Sequence, residues 1–437
     1  MAPDMPRARK GAPFFLPQAL RLQVCMGRRL SSFLLIAALA CASLPAAAAP
    51  SNSARKAAPA ARQPAAPPPR DGQAESRLIE AYRLVGQGRR RDALAHAERL
   101  VRDYPQFQLA QLLYGDLLAT QVPPGKAVPG RPEAGAPLLR ELQQEAQLRL
   151  QALRERPPAG AIPAQFLALA PNARHAIAVD ASRARLYLFE NGPHGPQLVA
   201  DYYVSVGKQG VEKVAEGDMR TPLGVYFIGS NLDPKSLKDF YGAGALTLNY
   251  PNPYDQRRGK TGSGIWLHGT PPDQFVRAPQ ATDGCIVLAN ADLTRLLRTV
   301  QIRSTPVVIA RQLAWVSPQS LQADSQNFAQ HLQAWQQAKS QGDMGKLMSF
   351  YAADFTSYGI DLNQWRSTLQ REVRQLNGRS LQLKELSYLH WHSDASEDTM
   401  VVTFGEVAQG TRSGPIKRQY WLRQGGQWKI FFEGVIG

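Results

Sequence analysis

The hydrophobic residues of this 437-residue chain change their spacing twice, and these changes limit which folds are possible. Between Ala74 and about Arg156, apolar residues recur every three or four positions, which is typical of amphipathic helices. From about Asn172 they fall in short runs separated by Gly, Pro and Asn, which is typical of strands. After Ser317-Pro318 the helical spacing returns and is followed by alternating segments. The pattern therefore predicts several domains of different class.

The first region, residues 73–158, is predicted to be helical. Two helices are separated by a turn at Gly86-Gln87-Gly88, and the second ends before Tyr104-Pro105. A further helix is predicted over 136–154, ahead of Pro157-Pro158. A helix, a turn, a helix and a proline resemble one tetratricopeptide-like unit, and a plain helical hairpin fits the pattern equally well.

Residues 172–312 are predicted to form a mostly-β domain with little helix. Gly, Pro and Asn separate the expected strands, and one helix is expected near the end of the region. The strands are predicted at 175–180, 185–190, 197–207, 224–228, 266–267, 285–288 and 306–310, and the helix at 292–300.

Residues 320–437 carry helical segments first and alternating segments afterwards. The helices are predicted at 326–341, 344–352 and 362–376, and the strands at 381–393, 398–409, 414–423 and 427–434. Helices that precede a curved antiparallel sheet form an α+β cone, and this order resembles the nuclear-transport-factor-2-like fold. The inside of such a cone is a candidate site for a protein or cell-wall ligand.

Residues 1–48 are predicted to be a secretory signal peptide. Met26-Gly-Arg-Arg is followed by an apolar run from Phe33 to Ala42 and by Ala46-Ala47-Ala48, the order of a basic segment, a hydrophobic segment and a cleavage site. Met26 is the expected start of the precursor. The apolar run is too short to span a bilayer, so no stable membrane insertion is expected after cleavage. The mature chain is predicted to be periplasmic and to begin with a flexible Ala/Pro/Arg linker, residues 49–72.

The formal net charge of +16 indicates either an anionic partner or simply a solvated basic surface. Nucleic acid, a membrane face and an anionic polymer such as the cell wall are the partner classes that such a charge suits. The sequence has no RNP motif and no zinc-finger spacing, so nucleic acid is not an expected partner.

Cys285 is the only cysteine of the predicted mature chain, because Cys25 and Cys41 lie in the leader. No intramolecular disulfide is then possible. A lone thiol in an oxidising compartment is a liability unless the protein uses it, whereas a structural thiol would be a small buried apolar group.

Two short segments place a base and a nucleophile at neighbouring strand ends. Ile265-Trp-Leu-His-Gly-Thr270 carries His268, and Thr282-Asp-Gly-Cys-Ile-Val-Leu288 carries Cys285. A thiol reacts as the thiolate and its free pKa is about 8.5, so an imidazole that accepts its proton is needed nearby. Gly284 lets the backbone approach a substrate closely, so the N–H groups of Gly284 and Cys285 are candidates to bind a developing oxyanion.

These segments resemble the signature of the L,D-transpeptidase (YkuD) catalytic domain, which has His-Gly, a spacer of similar length and Ser/Thr-x-Gly-Cys. The resemblance extends over about residues 172–312 and includes Glu216-Gly-Asp218 and Arg220–Tyr226. It implies that Cys285 is the nucleophile, that His268 is the base and that a backbone carbonyl orients the histidine. It also implies a reaction, in which the peptidoglycan stem tetrapeptide acylates the cysteine at the bond between the L-centre of diaminopimelate and D-alanine. Water or an amine then takes the acyl group.

The residues next to Cys285 differ from the pattern of many cross-linking members of that family. Asp283 stands where they have histidine, and Val287 stands where they have an arginine that clamps a carboxylate. Asp283 is either a substrate-binding carboxylate, which would disfavour the thiolate by like charge, or a turn residue. Arg277 is the candidate replacement for the missing arginine, and a solvated loop arginine is the alternative. The other residues predicted to bind substrate are Trp266, Gly269 and Thr282.

The domain order resembles a subgroup of the family, the helical-cell-shape L,D-carboxypeptidases, over residues 172–437. Those members carry a nuclear-transport-factor-2-like domain after the catalytic domain and trim tetrapeptides. The resemblance implies a carboxypeptidase that acts on peptidoglycan stem peptides. The alternatives are an L,D-transpeptidase, which forms 3–3 cross-links or attaches or detaches a protein at the wall, and a non-catalytic wall-binding scaffold.

Neither a cofactor nor a metal ion is expected from the sequence. His390 and His392 lie on one face of a predicted strand. Without a third ligand nearby, a pocket or surface pair is their expected role.

Overall fold

The helical region packs around an apolar core of its own. In the computed structural model, which describes residues 72–121, 136–393 and 396–436, the helices are α1 (Gln73–Gly86), α2 (Arg90–Asp103), α3 (Gln108–Ala119) and α4 (Ala136–Arg154). Gly88 has a φ of 74°, a left-handed conformation that glycine tolerates best, and this allows the tight turn between α1 and α2. The buried core of the region includes Leu78, Leu84, Leu100, Phe107 and Leu113.

The prediction of a helical N-terminal region is confirmed. Helix α3 is an addition to the predicted helices, since the stop at Tyr104-Pro105 interrupts the helical pattern for only a few residues. The predicted signal peptide and the linker up to residue 71 lie outside the described residues. Within the residues that the structure does describe, no helix combines the length and the apolar character needed to cross a membrane.

An eight-stranded sheet forms the centre of the next region. The strands before and within this region are β1 (Ile162–Pro163), β2 (Phe166–Ala168), β3 (His175–Asp180), β4 (Arg185–Gly192), β5 (Gly195–Tyr203), β6 (Val206–Gly207), β7 (Gly224–Leu232), β8 (Ala245–Leu248), β9 (Trp266–His268), β10 (Gln280–Thr282), β11 (Ile286–Val287) and β12 (Pro306–Ala310). The strand order of the sheet is β11-β9-β8-β7-β12-β3-β4-β5, with parallel pairing between β12 and β3 and between β11 and β9. Helices α5 (Pro253–Arg257) and α6 (Asn290–Thr299) interrupt them, and β13 (Trp315–Val316) follows. Leu293 and Leu296 of α6 are buried against the sheet in one apolar core.

The C-terminal region has the predicted α+β order. Its helices are α7 (Gln322–Gln341), α8 (Met344–Ser349) and α9 (Leu362–Leu376), and its strands are β14 (Thr356–Ser357), β15 (Ile360–Asp361), β16 (Leu381–Ser393), β17 (Ser396–Ala408), β18 (Ile416–Gln424) and β19 (Gln427–Val435). Helix α7 ends at Gly342, which has a φ of 72°. Helix α9 begins with a capping box formed by Asp361 and Gln364, which satisfies two backbone N–H groups that a helix start leaves free.

A strand from outside the C-terminal region completes its sheet. Strand β2 pairs antiparallel with β16, so the strand order is β19-β18-β17-β16-β2. The same face shares one apolar core with the eight-stranded sheet, in which Phe189 and Val308 lie with Leu389 and Phe431. The pairing of β2 is a long-range contact, which the local pattern at 166–168 does not reveal.

A buried ionic network joins the helical region to the eight-stranded sheet. Arg185 of β4 donates to both carboxylate oxygens of Glu75 at 2.8 Å and to Asp201 at 3.0 Å. Arg149 of α4 also pairs with Glu75 and, at 2.8 Å, with Glu145. Burial acts to raise the pKa of Glu75, but Arg185 and Arg149 outweigh it and lower that pKa. Glu75 is therefore an ionised partner that holds α1 and α4 on the sheet.

We predict that Arg185→Met lowers the free energy of unfolding by about 3–5 kcal/mol, because it leaves buried carboxylates without their cation. Chemical denaturation of the two proteins measures the difference. Arg77→Met is the matched control, since Arg77 pairs with Asp103 at 2.7 Å on the exposed side of the same helical region. Its effect should stay below about 1 kcal/mol. Equal effects of the two substitutions would contradict a special role for the buried network.

Candidate active site

Cys285 follows a tight turn whose backbone is held by two hydroxyl groups. Thr282 Oγ1 accepts the N–H of Gly284 at 3.1 Å and donates to the carbonyl oxygen of Cys285 at 2.7 Å. Thr221 Oγ1 donates to the carbonyl oxygen of Gly284 at 2.9 Å. Thr282 is itself buried, so this predicted substrate-binding residue also shapes the turn that presents the thiol.

The N–H of Gly284 donates to Thr282 in this conformation, so its predicted oxyanion role stays a prediction that requires this hydrogen bond to break. Shape explains why glycine stands here. Its φ is 122°, and a Cβ atom added to it would lie 2.7 Å from the carbonyl oxygen of Arg220. The N–H of Cys285 therefore remains the candidate donor to an oxyanion.

Parallel pairing of β9 and β11 brings the base to the nucleophile. Leu267 lies opposite Ile286 and His268 lies opposite Val287, so the register places Cys285 beside Trp266. Because alternate residues of a strand share a face, His268 lies on the same face of β9 as Trp266, the residue beside Cys285. His268 and Cys285 accordingly line one cavity of about 220 Å³.

The imidazole of His268 is neutral and oriented. Its Nδ1 lies 2.7 Å from the carbonyl oxygen of Gly269, which can only accept a hydrogen bond, so we assign the proton to Nδ1 and a free lone pair to Nε2. Burial lowers the pKa of His268 to about 4; the Gly269 carbonyl opposes this shift and the charge of Arg277 adds to it. At neutral pH the ring is thus ready to accept a proton.

The thiol of Cys285 is also neutral at rest. Burial raises the pKa of Cys285; the Trp266 N–H, Arg277 and Lys213 oppose that shift, and the negative charge of Asp283 adds to it. Sγ lies 3.5 Å from the carbonyl oxygen of Gly264, which accepts from the thiol. No resting ion pair supplies the thiolate, so a nucleophilic role of Cys285 would require proton transfer to a nearby base, for which His268 is the candidate.

Charged groups stand on two sides of the cavity. Lys213 is buried and donates to Asp218 at 2.8 Å and to the carbonyl oxygen of Ala215 at 2.9 Å. Arg277 lies over the ring of Phe240, with its guanidinium carbon 4.4 Å from the ring centroid. Among the described residues Arg277 has no carboxylate partner within ion-pair distance, which leaves it available to an anionic substrate group.

The structure places the other predicted site residues differently. Asp283 lines the rim of the cavity, where its carboxylate is 72% exposed and pairs with Lys208 at 3.0 Å. Trp266 and Gly269 do not line the cavity. Trp266 packs on Tyr241 at 4.9 Å between ring centroids, and Gly269 acts through the carbonyl group that orients His268. Both residues thus have positioning contacts behind the cavity, and their predicted substrate contact stays a prediction.

Several residues of the site carry no signal in the local sequence. The rings of Tyr241 and Phe240 lie 5.1 and 5.8 Å from the imidazole of His268 and enclose it. Asn290 at the start of α6 accepts from Thr270 N–H at 3.2 Å and donates to its carbonyl oxygen at 2.8 Å, which holds the strand end after His268. The mixed sequence around Phe240 and Lys213 gives no pattern that would assign either residue to this cavity.

The candidate metal ligands lie in the C-terminal region. His390 Nε2 and His392 Nδ1 both contact Asp398, at 2.8 and 3.2 Å. A separate group of carboxylates, Glu372, Glu406 and Glu433, is close enough together to hold a cation. The ammonium groups of Lys339 and Lys417 already bind these three carboxylates at 2.6–3.2 Å.

A mostly-β domain that places a cysteine and an oriented histidine in one small cavity is an arrangement suited to cysteine acyl-transfer chemistry. Residues 174–309 match the YkuD family, described as the L,D-transpeptidase catalytic domain, and residues 327–434 match the Cds6 C-terminal NTF2-like domain. The chain thus contains an L,D-transpeptidase catalytic domain followed by a nuclear-transport-factor-2-like domain, and the first of these domains is typical of a family that acts on peptidoglycan. Members of this family act on the cell wall and are therefore exported.

Solved structures with similar folds include Bd1075 of Bdellovibrio bacteriovorus, which is 28% identical, covers 63% of this chain and 98% of its own, and has a TM-score of 0.53. The helical cell shape determining protein Pgp2 of Campylobacter jejuni is 21% identical, covers 67% of this chain and 99% of its own, and has a TM-score of 0.48. No curated protein matches this chain.

The neutral Cys–His pair leads to a prediction about the reactivity of Cys285. Because its thiol pKa is raised and the pKa of His268 is about 4, the rate of alkylation by iodoacetamide should climb steadily with pH between about 6 and 9. A resting thiolate–imidazolium pair would instead give a plateau at neutral pH. The measurement uses the chain from residue 49, in which Cys285 is the one cysteine, and Cys285→Ala provides the unlabelled control.

Proposed function

We propose that the protein is a periplasmic L,D-carboxypeptidase that removes D-alanine from peptidoglycan stem tetrapeptides through an acyl-enzyme on Cys285. The observation that carries this proposal is the shared cavity of Cys285 and a neutral His268 whose Nδ1–H is held by Gly269. The family supplies the substrate class, and the chemistry of the two side chains supplies the reaction type.

In the first half-reaction, Sγ of Cys285 attacks the carbonyl carbon at the L-centre of diaminopimelate as its proton moves to Nε2 of His268. The carbonyl oxygen becomes an oxyanion, which the N–H of Cys285 is placed to bind. The carbon–nitrogen bond then breaks, and the amine of D-alanine leaves with the proton from His268. A thioester remains on Cys285.

In the second half-reaction, water attacks the thioester and gives its proton to His268. The carbon–sulfur bond breaks, the sulfur recovers the proton, and the tripeptide leaves with a new carboxylate. Arg277 on the cavity wall is the proposed partner for a substrate carboxylate, since its guanidinium group can bind both oxygens.

Two features favour water over an amine as the acceptor. Val287, at the position of the arginine of many cross-linking relatives, is buried in β11 and offers no charge to a second peptide. The cavity around Cys285, at about 220 Å³, is smaller than the roughly 300–1,000 Å³ typical of small-ligand sites. A bound donor peptide therefore leaves space for water more readily than for a second stem.

We predict that the chain from residue 49 converts disaccharide tetrapeptide into disaccharide tripeptide and free D-alanine, as measured by mass spectrometry. His268→Gln should lower the rate by about 10²–10⁴-fold, the contribution of a positioned general base, and Cys285→Ala should abolish the reaction. His194→Gln is the control, because His194 is exposed in the turn between β4 and β5. Dimeric stem peptides among the products would identify a transpeptidase, and no product at all would exclude the enzymatic proposal.

A further inference from the structure

A second cleft lies next to the catalytic cavity, between the helical region and the segment 271–281. Its volume is about 400 Å³. Leu109 of α3 and Leu138, Glu141 and Leu142 of α4 line one side, and Phe275 and Val276 line the other. The helical region therefore forms one wall of a site next to Cys285.

The two cavities share a wall made by Phe240 and Arg277, which line both. The guanidinium group of Arg277 lies over the ring of Phe240, so the two residues form one contact at the boundary between the cavities. The catalytic cavity is too small to enclose more than the reacting part of a peptide, and the rest of a larger substrate must extend beyond it. A substrate that passes Arg277 enters the second cleft.

The helical region also holds the segment that carries Arg277. Phe275 stacks on Phe107 with ring centroids 4.3 Å apart. Tyr203 donates its hydroxyl to the carbonyl oxygen of Arg277 at 3.0 Å, and Arg149 of α4 lies 3.9 Å above the Tyr203 ring. Because the segment is anchored at Phe275 and at the carbonyl group of Arg277, the folded chain holds this wall of the cleft in place.

The chemistry of the cleft differs from that of the catalytic cavity. Around Cys285, Arg277 suits a carboxylate of a stem peptide, whereas Lys213 already pairs with Asp218. Apart from the shared Arg277, the described residues lining the cleft include no lysine or arginine. They offer the side-chain amides of Gln106, Gln108 and Gln274, the carboxylates of Glu141 and Glu145, of which Glu145 pairs with Arg149, and apolar surfaces. Such a lining disfavours another carboxylate and suits a neutral ligand rich in hydroxyl and amide groups.

We propose that this cleft binds the N-acetylated amino sugars to which the stem peptide is attached, so that the helical region selects glycan-linked over free peptides. This inference rests on the proposed function, because it takes the stem peptide as the ligand of the catalytic cavity. The sugar would place its hydroxyl and acetamido groups against Gln108 and Glu141 and its apolar face against Leu142.

Binding to the Cys285→Ala protein tests the proposal without requiring turnover. Calorimetric titrations compare disaccharide tetrapeptide with the free tetrapeptide. The disaccharide form should bind at least about tenfold more tightly, and Leu138→Trp, which fills the cleft from an exposed position of α4, should remove that difference. Gln144→Trp is the matched control on the exposed side of the same helix and should change neither affinity.

Gln108→Ala, a smaller change at an exposed position of α3, should also reduce the preference for disaccharide tetrapeptide over free tetrapeptide. It distinguishes loss of the cleft from misfolding of the tryptophan variant. Equal affinities for the two ligands, or equal losses of both in Leu138→Trp, would overturn the cleft proposal. Failure of the proposed function is a separate result, since wild-type protein would then release no D-alanine even though the binding preference is present.

Discussion

The parallel pairing of β9 and β11 is the interaction on which the site depends. Neither strand is longer than three residues, and their sequences lie 17 positions apart at His268 and Cys285. In this register Leu267 pairs with Ile286 and His268 pairs with Val287, which brings the imidazole of His268 and the thiol of Cys285 to one cavity. Since a slip by one residue between the two strands would turn one of the two side chains to the opposite face, the pairing itself decides whether His268 and Cys285 share a cavity.

Burial then determines the protonation states of that pair. It lowers the pKa of His268 and raises the pKa of Cys285, so both groups are neutral when no substrate is present. A histidine that already donates through Nδ1 has one nitrogen left, and the Gly269 carbonyl thereby decides which nitrogen receives the thiol proton. In this neutral resting state the thiol and imidazole resemble a hydroxyl nucleophile with its base more than a preformed thiolate–imidazolium pair. The reactivity of the thiol therefore depends on the geometry of proton transfer.

The regions around the catalytic domain are attached to it by different forces. The helical region is joined through buried charges, Glu75 with Arg185 and Arg149, and through the stacking of Phe107 on Phe275. The C-terminal sheet is joined through an apolar core and the added strand β2. Charged pairs specify orientation more strictly than apolar contacts because each charge requires its own partner. This kind of attachment suits the helical region, which lies beside Arg277.

By itself the sequence determined the domain classes and singled out Cys285 and His268 as the candidate nucleophile and base, because periodicity is local and the His-Gly and Thr-x-Gly-Cys segments carry their own chemistry. Helix α4 and strands β3, β12 and β16 have the predicted bounds, since turn and cap residues mark their ends. Only the tertiary structure decided the role of Gly284, the carbonyl that orients His268, and the presence of Phe240, Tyr241 and Lys213 at the site. Each of these depends on contacts between residues far apart in the chain, where spacing within a segment carries no information. The cleft beside Arg277 is of the same kind, because it exists only where α3 and α4 meet the segment 271–281.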